Sequence, residues 1–529
     1  MANEMYNTDV LIVGAGPTGL ILAAALQSLG VSIKIIELKP KLSDTTKATN
    51  LMQGTQEQLA IYNLIQPMFD ISGKMSRMVM EGYGTNLGAR TMHLTESPFN
   101  DVLLLGQDNI EKSLANSLSN LGVQIHFDTK LTSLIQNENG VVTTLQSVTN
   151  ITTENYKYVI GCDGPWGITR TFTKCDFKPV KTDRTIRQVD AKLKWKRLNS
   201  MKQMWLFYFA DGFAVVVPLL DGYYRILTIE PSENIPNRNP TLEEMKSKLI
   251  EVTKDNSIEM LEPKWFSYAN LTMGIAPQII DNKVILAGDA GNPILPNGGQ
   301  GLNTGIQDSL NLAWKLADVI KNNAKTELLT TYQTERLALR IALEKIQFNS
   351  LKYTTKAPKF MQWVVGKLGN WMLDKGGEKG MAKTFSQLNI NYKKSPLTVD
   401  KIKKGSVKAG NRILDGDIIQ ASTLQEVSLF QQLSKPVWKL LVFDNKKQLN
   451  HLQQIDKIKG GLLPLIITAS TITTYETAYL YYDIDELVHK IYGIHQPTIL
   501  LVRPDNYVAL SAKADNLKAV ENYFANWYN

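Results

Sequence analysis

Three short stretches of this chain set residue types where they could do chemistry. They are Gly14-Ala15-Gly16-Pro17-Thr18-Gly19, Gly161-Cys162-Asp163-Gly164, and the run from Gly288-Asp289-Ala290 through Pro296, Gly298 and Gly299. Each follows an apolar run, and two of them place a carboxylate beside glycine. Glycine lets main-chain N–H groups come close to an electron-rich group, and a helix that starts there adds the positive end of its dipole. Such sites bind phosphate-bearing or otherwise anionic groups. Metal chemistry has no comparable support, because His93, His126, His451, His489 and His495 are scattered without ligand spacing. Cys162 and Cys175 are too few for a disulfide scaffold and fit a reducing compartment.

The elements that must hold these stretches follow from hydrophobic period and turn residues. Residues 8–13 read as a buried parallel strand, 20–29 as a helix ended by Gly30, and 31–36 as a second strand closed by Glu37. That strand–helix–strand unit is a dinucleotide-binding fingerprint. Gly14 permits the tight turn, Gly16 lets the backbone approach a pyrophosphate, Gly19 allows close helix packing, and Glu37 can accept from ribose hydroxyls. The fingerprint alone does not separate NAD from FAD. Further on, 53–64 is helical in pattern, and 103–105 is a short strand that leads into a helix from about residue 108. Strands follow at 123–127, 130–135 and 157–161, with a turn at Asn137-Glu138-Asn139-Gly140. Residues 284–287 form the apolar strand that ends in Gly288-Asp289, and helical pattern resumes near Gln300.

With its three motifs in this order, the chain resembles the FAD-dependent aromatic hydroxylases, the single-component flavoprotein monooxygenases. The phenol hydroxylase and polyketide hydroxylase branch is the closest shape. The resemblance implies that Gly14, Gly16 and Gly19 hold the FAD pyrophosphate, with Glu37 on the adenosine ribose. Pro17, Thr18, Leu38, Gly288, Gly301, Leu302 and Asn303 join the cofactor-binding set. Lys47 stands where the family usually carries an arginine before alanine, so it would meet phosphate as a point charge rather than a fork. Gln107 would touch the ribityl or phosphate region, and Asp289 would hydrogen-bond a ribityl hydroxyl. Asp163 would serve both FAD and the approach of NAD(P)H. Pro296, Gly298 and Gly299 would form the catalytic loop against the reactive edge of the isoalloxazine. Read without the resemblance, Asp289 could be a helix N-cap, Gln107 a capping residue and Asp163 a turn residue. The family pattern is departed from at Gly291-Asn292 (usually Ala-His), at Leu295 (often proline) and at Gly167 (usually serine).

Only one dinucleotide fingerprint is present, so the reductant NAD(P)H would bind transiently in a shared cleft. The lack of any CxxC argues against a disulfide reductase. By the same resemblance, O2 would add at flavin C4a, and the distal oxygen of the hydroperoxide would pass to an electron-rich ring shielded from water. The same scaffold could instead perform epoxidation, Baeyer–Villiger or drug-inactivating oxidation, or bind flavin without turnover. The wall of the substrate cavity is expected from β pattern at 190–195, 203–209, 213–218 and 223–230, with Asp211-Gly212 and Asp221-Gly222 as hairpin turns. Period two sets Trp205 and Phe207 on one face, with Phe213 and Val215 on the neighbouring strand, and together they suggest an aromatic-lined cavity. Arg225 is either a substrate anchor or a surface residue. No residue identifies itself as the base for a phenol.

The expected architecture is α/β. A Rossmann-type FAD-binding domain in two pieces, 1–175 and 276–352, carries an inserted antiparallel β-sheet substrate domain at 176–275. A Lys-rich helical connector at 353–408 leads to an α/β domain at 409–529 that resembles the thioredoxin-like C-terminal domain of the same branch, and 529 residues suffice for these cores. Residues 328–348 form a strong helix with Glu335, Arg336, Arg340 and Glu344 at polar positions. Residues 361–373, with two tryptophans, pack over the catalytic domain or form a membrane-facing patch. Strands are expected at 438–443, 463–468, 478–482 and 498–503. With both cysteines before residue 176, the last domain cannot do dithiol chemistry and takes a structural or homodimer-packing role. The net charge of +8 is concentrated, since 13 lysines face three carboxylates between Lys352 and Gly410. No basic–aromatic interleaving points to nucleic acid. No apolar run nears the roughly 20 residues that span a bilayer, and the first strand begins too early to leave room for a signal peptide. A cytoplasmic monooxygenase acting on a small aromatic substrate with O2 is the expectation.

Overall fold

The computed structural model describes residues 6, 8–46, 48–82, 85–175, 180–198, 202–294, 299–355, 377–402, 407–444, 462–469 and 479–529. An eight-stranded sheet organises the first half of the chain. Its order is Ile280–Asp281, Val284–Leu286, Ile151–Gly161, Thr8–Val13, Ile33–Ile36 and Ile125–His126, with Gly140–Gln146 and Lys130–Asn137 joined to the long strand Ile151–Gly161. The five strands from Val284–Leu286 to Ile125–His126 are parallel. Parallel strands covered on both faces take continuous apolar runs, which is why Val10-Leu11-Ile12-Val13 shows no polar alternation. Val10, Ile12, Ile35, Ile160 and Ile285 pack under helices Pro17–Ser28, Gln107–Asn120 and Gln300–Ile320. Leu11, Val13, Ile36, Val159 and Val284 pack on the opposite face against Lys130–Asn137 and Gly140–Gln146.

A second sheet has seven strands, in the order Glu259–Met273, Val180–Lys194, Tyr223–Pro231, Gly212–Pro218, Gln203–Phe209, Arg77–Gly82 and Thr85–Thr91. It holds the expected substrate wall but is wider than the segment 176–275. Its last two strands come from the N-terminal piece, and Gln203–Phe209 pairs in parallel with Arg77–Gly82. Pairing across more than a hundred residues leaves no trace in local periodicity. A third, C-terminal sheet has eight strands, with Lys439–Asp444 parallel to Leu463–Thr468 and antiparallel to Thr498–Val502. It also recruits Val399–Asp400, from before residue 409. Cys162 and Cys175 are buried and free. Residues 356–376, which include the expected tryptophan-bearing patch, lie outside the described residues.

Helix Glu327–Thr355 covers the expected 328–348. Its polar positions are not on a solvated face, because Glu335, Arg336 and Arg340 are all buried. The helix lies between Gln300–Ile320 and the C-terminal domain, and its charges meet partners from both. Lys315 and Arg503 hold Glu335 at 2.8 and 2.5 Å, and Asp308 holds Arg336 and Arg340 at 2.6 and 2.5 Å.

Candidate active site

The parallel strands bring the three motifs to one edge. Val13 lies level with Ile36 and Gly161, and Gly161 with Leu286, so the turns that follow open side by side at the carboxyl ends of the strands. That edge is where open α/β sheets bind ligands. Main-chain bonds lock the turns together. Gly14 N donates to Ile36 O at 2.8 Å, Cys162 N to Val13 O at 2.8 Å, and Ala287 N to Gly161 O at 2.9 Å. Arg170 bridges the second and third motifs, donating to Pro165 O at 2.8 Å and to Ala290 O at 2.7 Å.

The glycines divide into two kinds. Gly14 has φ +104°, and a Cβ there would lie 2.6 Å from Cys162 O; a Cβ on Gly19 would lie 2.0 Å from Gly14 O. These two serve close packing. A Cβ on Gly16 or Gly301 would meet no atom within 4 Å. Gly16 caps Pro17–Ser28, and Gly301 is in the first turn of Gln300–Ile320; neither helix start has a side-chain cap. Among the described residues, then, no side chain caps the main-chain donors of either first turn, and both border open space. Asp163 adds an acceptor. Its Oδ2 accepts from Thr169 N and Oγ1, both at 2.8 Å, while its Oδ1 is buried without a partner. Burial raises the pKa of this carboxyl. A buried oxygen lacking a donor is rare in a finished structure. The donors, the room beside two glycines and the unsatisfied acceptor fit a phosphate-bearing, hydroxyl-rich cofactor. Gly167 also gains a reason, because a Cβ there would lie 2.1 Å from Asp163 Cγ. The missing serine is what leaves the carboxylate its place.

The remaining expected residues surround this cradle in different ways. Glu37 ends its strand with Oε2 accepting from Ala15 N at 2.9 Å and Oε1 from Lys39 N at 3.0 Å; Leu38 is exposed. Gln107 opens its helix, and its Nε2 donates to Glu111 Oε1 at 2.8 Å. Asp289 is half-buried in the turn Gly288–Ala290. Gly288 has φ +63° and packs on Thr18, whose Oγ1 would lie 2.7 Å from an added Cβ. Gly299 has φ +65°, and Leu302 is half-buried. Asn303 is fully buried and clamps main chain, accepting from Met52 N at 2.8 Å and donating to Asn50 O at 2.9 Å and Gly299 O at 3.0 Å. Asn292 is likewise structural: its Oδ1 accepts from Ala276 N at 2.7 Å and its carbonyl from Arg340 at 2.8 Å. Lys47, Leu295, Pro296 and Gly298 lie outside the described residues.

Sequence reasoning missed Asp308. Its carboxylate accepts from Gly288 N at 3.1 Å and is held by Arg336 and Arg340. Burial pushes this carboxyl up, but the two guanidiniums outweigh it and keep the pKa below the ordinary range. The available signal was an acid, one of two with Asp318, on a helix whose other residues are mostly apolar, small or amide-bearing.

The substrate wall requires a correction. Trp205 pairs with Val216, Leu206 with Val215, Phe207 with Ala214 and Tyr208 with Phe213. Trp205 and Phe207 therefore pack with Trp195 and Met245 under helix Leu242–Thr253. Phe213 and Val215 lie on the other face with Met52, Met78, Met80 and Leu104. The hairpin connection has two residues, so Phe209 faces Gly212, and odd positions of one strand share a face with even positions of the next. Met52 carries this second face to the cofactor side, its Cε 3.9 Å from where a Cβ on Gly299 would stand. Arg225 is buried, which removes the surface alternative. It meets Asp190 through Nε at 2.8 Å and Nη2 at 2.7 Å, donates to Thr46 O at 2.5 Å, and lies 4.9 Å from the Trp265 ring centroid. Among the described residues no group of three His, Cys, Asp or Glu could hold a metal ion, and no helix is long and apolar enough to cross a membrane.

Comparison with known proteins agrees with this geometry. The profile of the FAD binding domain matches residues 7–346, and that of the phenol hydroxylase C-terminal dimerisation domain matches residues 463–529. The uncharacterised aromatic compound monooxygenase YhjG of Bacillus subtilis is 30% identical over 338 residues, covering 63% of this chain and 66% of its own length. This chain thus spans just under two thirds of that relative. The 6-methylpretetramide 4-monooxygenase of Streptomyces rimosus is 25% identical over 540 residues, covering 96% of this chain and 91% of its own. The solved structure of OxyS anhydrotetracycline hydroxylase from Streptomyces rimosus matches with a TM-score of 0.77 at 22% identity, over 98% of this chain and 99% of that one. That likeness establishes the shared fold over the full length. With the FAD-binding profile spanning most of the chain, this protein belongs to the FAD-dependent aromatic hydroxylase family.

Proposed function

We propose that this protein is an NAD(P)H-consuming, FAD-dependent monooxygenase that hydroxylates an aromatic small molecule, phenolic or polycyclic. The observation that most supports this is the meeting, across Met52 and Gly299, of a two-glycine cradle and a sheet face rich in Met, Phe and Val. On this reading Gly14 to Gly19 hold the pyrophosphate, Glu37 the ribose, and Asp163 and Asp289 the hydroxyl-bearing chain. Bound FAD, reduced by NAD(P)H from a shared cleft, supplies the activation of O2. The protein's own part is electrostatic and steric. Donors at the start of Gln300–Ile320 would stabilise negative charge on the bound cofactor, where each such donor can be worth roughly 3 kcal/mol. The face with Phe213 and Val215 holds the substrate ring and keeps water out, so positioning supplies much of the rate. The relatives named for 6-methylpretetramide and anhydrotetracycline favour a polycyclic substrate. The match to a dimerisation domain supports a homodimer, and we place the enzyme in the cytoplasm.

The test is to follow NADH and NADPH oxidation and peroxide release by the purified protein, with and without a panel of phenols and polycyclic phenols. Substrate-stimulated oxidation with little peroxide is expected. A yellow protein that neither nucleotide bleaches, with or without any of these compounds, would defeat the proposal.

A further inference from the structure

Gly288 N, at the floor of the cofactor site, donates to Asp308 Oδ2 at 3.1 Å. Asp308 Oδ1 accepts from Arg336 Nε at 2.6 Å, and Arg336 Nη1 reaches the hydroxyl of Tyr392 at 2.9 Å. Tyr392 belongs to the segment that enters the C-terminal domain. Its ring packs on Tyr507 with centroids 4.4 Å apart, and the Arg503 guanidinium lies 5.0 Å from its centroid. Arg503 in turn holds Asp505 at 2.5 Å and returns to Glu335 at 2.5 and 3.0 Å, one residue before Arg336. Glu335 also accepts from Lys315 at 2.8 Å, Asn311 at 2.7 Å and Ser395 at 2.6 Å. Every member from Asp308 to Asp505 is buried. Polar groups in such a setting depend strongly on their partners, because losing one leaves another desolvated and unpaired.

We propose that Tyr392 is a positioning residue for the cofactor site, coupling the seat of the C-terminal domain to the turn Gly288–Ala290. The Tyr392 hydroxyl is the one polar atom of its side chain, and it meets the guanidinium that orients Asp308. If the C-terminal domain shifts, Tyr392 moves with Tyr507 and Arg503, Arg336 loses one of its acceptors and shifts with Asp308 Oδ1, and the carboxylate, still held at Oδ2 by Arg340, tilts against Gly288 N. Reciprocity then requires FAD to tighten the C-terminal domain by as much as that domain tightens FAD. The proposal rests on the reading of this site as the FAD site.

The experiment uses the full chain, stripped of flavin, in wild-type form and as Tyr392→Phe, which removes one oxygen and keeps the ring packing. FAD affinity is titrated by flavin fluorescence. Amide hydrogen exchange of Thr498–Val502 and Val508–Lys513 is then followed with and without FAD. Tyr392→Phe is expected to weaken FAD binding about 5- to 20-fold. In the wild type FAD should slow exchange in those two strands several-fold, and in the variant this protection should shrink. A side chain that served stability alone would change exchange equally with and without FAD. Unchanged FAD affinity in the variant, or wild-type protein that binds FAD with no protection of the two strands, overturns the coupling and leaves the FAD site standing. Wild-type protein that binds no FAD overturns both. A Tyr392→Phe chain too unstable to titrate leaves the wild-type exchange measurement to decide.

Discussion

Gly16 and Gly301 are the positions where cofactor binding and stability of the free protein should separate. Gly16 sits at φ −73° and ψ 178°, a conformation open to any residue, and an added Cβ meets nothing within 4 Å. Alanine there narrows the unfolded ensemble, which stabilises by roughly 0.4–1 kcal/mol. It is also a poorer N-cap than glycine by a similar amount. The two effects offset, so Gly16→Ala should leave apoprotein stability within about 1 kcal/mol of wild type. Gly301 lies inside the first turn of Gln300–Ile320, where alanine is favoured over glycine by about 1 kcal/mol. Gly301→Ala apoprotein should therefore be slightly more stable. Both methyl groups enter the cradle. Overpacking of a close-fitting site costs roughly 1–3 kcal/mol, about 5- to 150-fold in FAD Kd. Urea unfolding of the apoprotein and fluorescence titration with FAD measure the two quantities separately. Gly19→Ala is the contrasting control, since its Cβ would stand 2.0 Å from Gly14 O and the fold itself should fail. Variants at 16 and 301 that are stable and bind FAD within threefold of wild type would refute the assignment of the cradle.

Restoring the family's serine in Gly167→Ser should displace Asp163, because the new Cβ would lie 2.1 Å from its Cγ. A loss of roughly 1–3 kcal/mol in a urea melt, with weaker FAD binding, is expected, and an unaltered variant would contradict the contact. Trp205→Ala should cost about 3–5 kcal/mol of stability without raising the KM for the aromatic substrate, whereas Phe213→Ala should raise that KM and the peroxide released. The reverse pattern in steady-state assays would put the substrate on the other face of the sheet. Lys439 is fully buried, donates to Asn506 Oδ1 at 2.6 Å, and is pulled down by burial to a pKa of about 7. Its unfolded value is about 10.4, so the unfolded chain binds more protons between those limits and native stability should rise with pH across that window. Lys439→Met should be more stable than wild type near pH 6 and lose more than half of that advantage by about pH 9. Urea midpoints at the two pH values decide it, and a pH-independent difference would count against the buried charge.

The candidate cofactor site was legible because each part is local. Gly14, Gly16, Gly19 and Glu37 lie in one strand–helix–strand unit, and Gly299 and Gly301 sit at one helix start, so turn geometry and donor direction follow from adjacent residues. The parallel strands were equally plain, since burial on both faces demands unbroken apolar runs. What the sequence could not show were relations between distant segments. A hairpin of two residues rather than another length put Phe213 and Val215, not Trp205 and Phe207, on the cofactor side, and a one-residue change in register would have reversed that. Arg77–Gly82 joined a sheet far from it in the chain, and Arg225 was buried against Asp190 and Thr46. Asp308 reached back twenty positions to Gly288 while gathering Arg336 and Arg340. Glycine turns and helix starts are short-range geometry and can be read along the chain. Which face a side chain meets, and which charge neutralises it, exist only once remote strands and helices have packed.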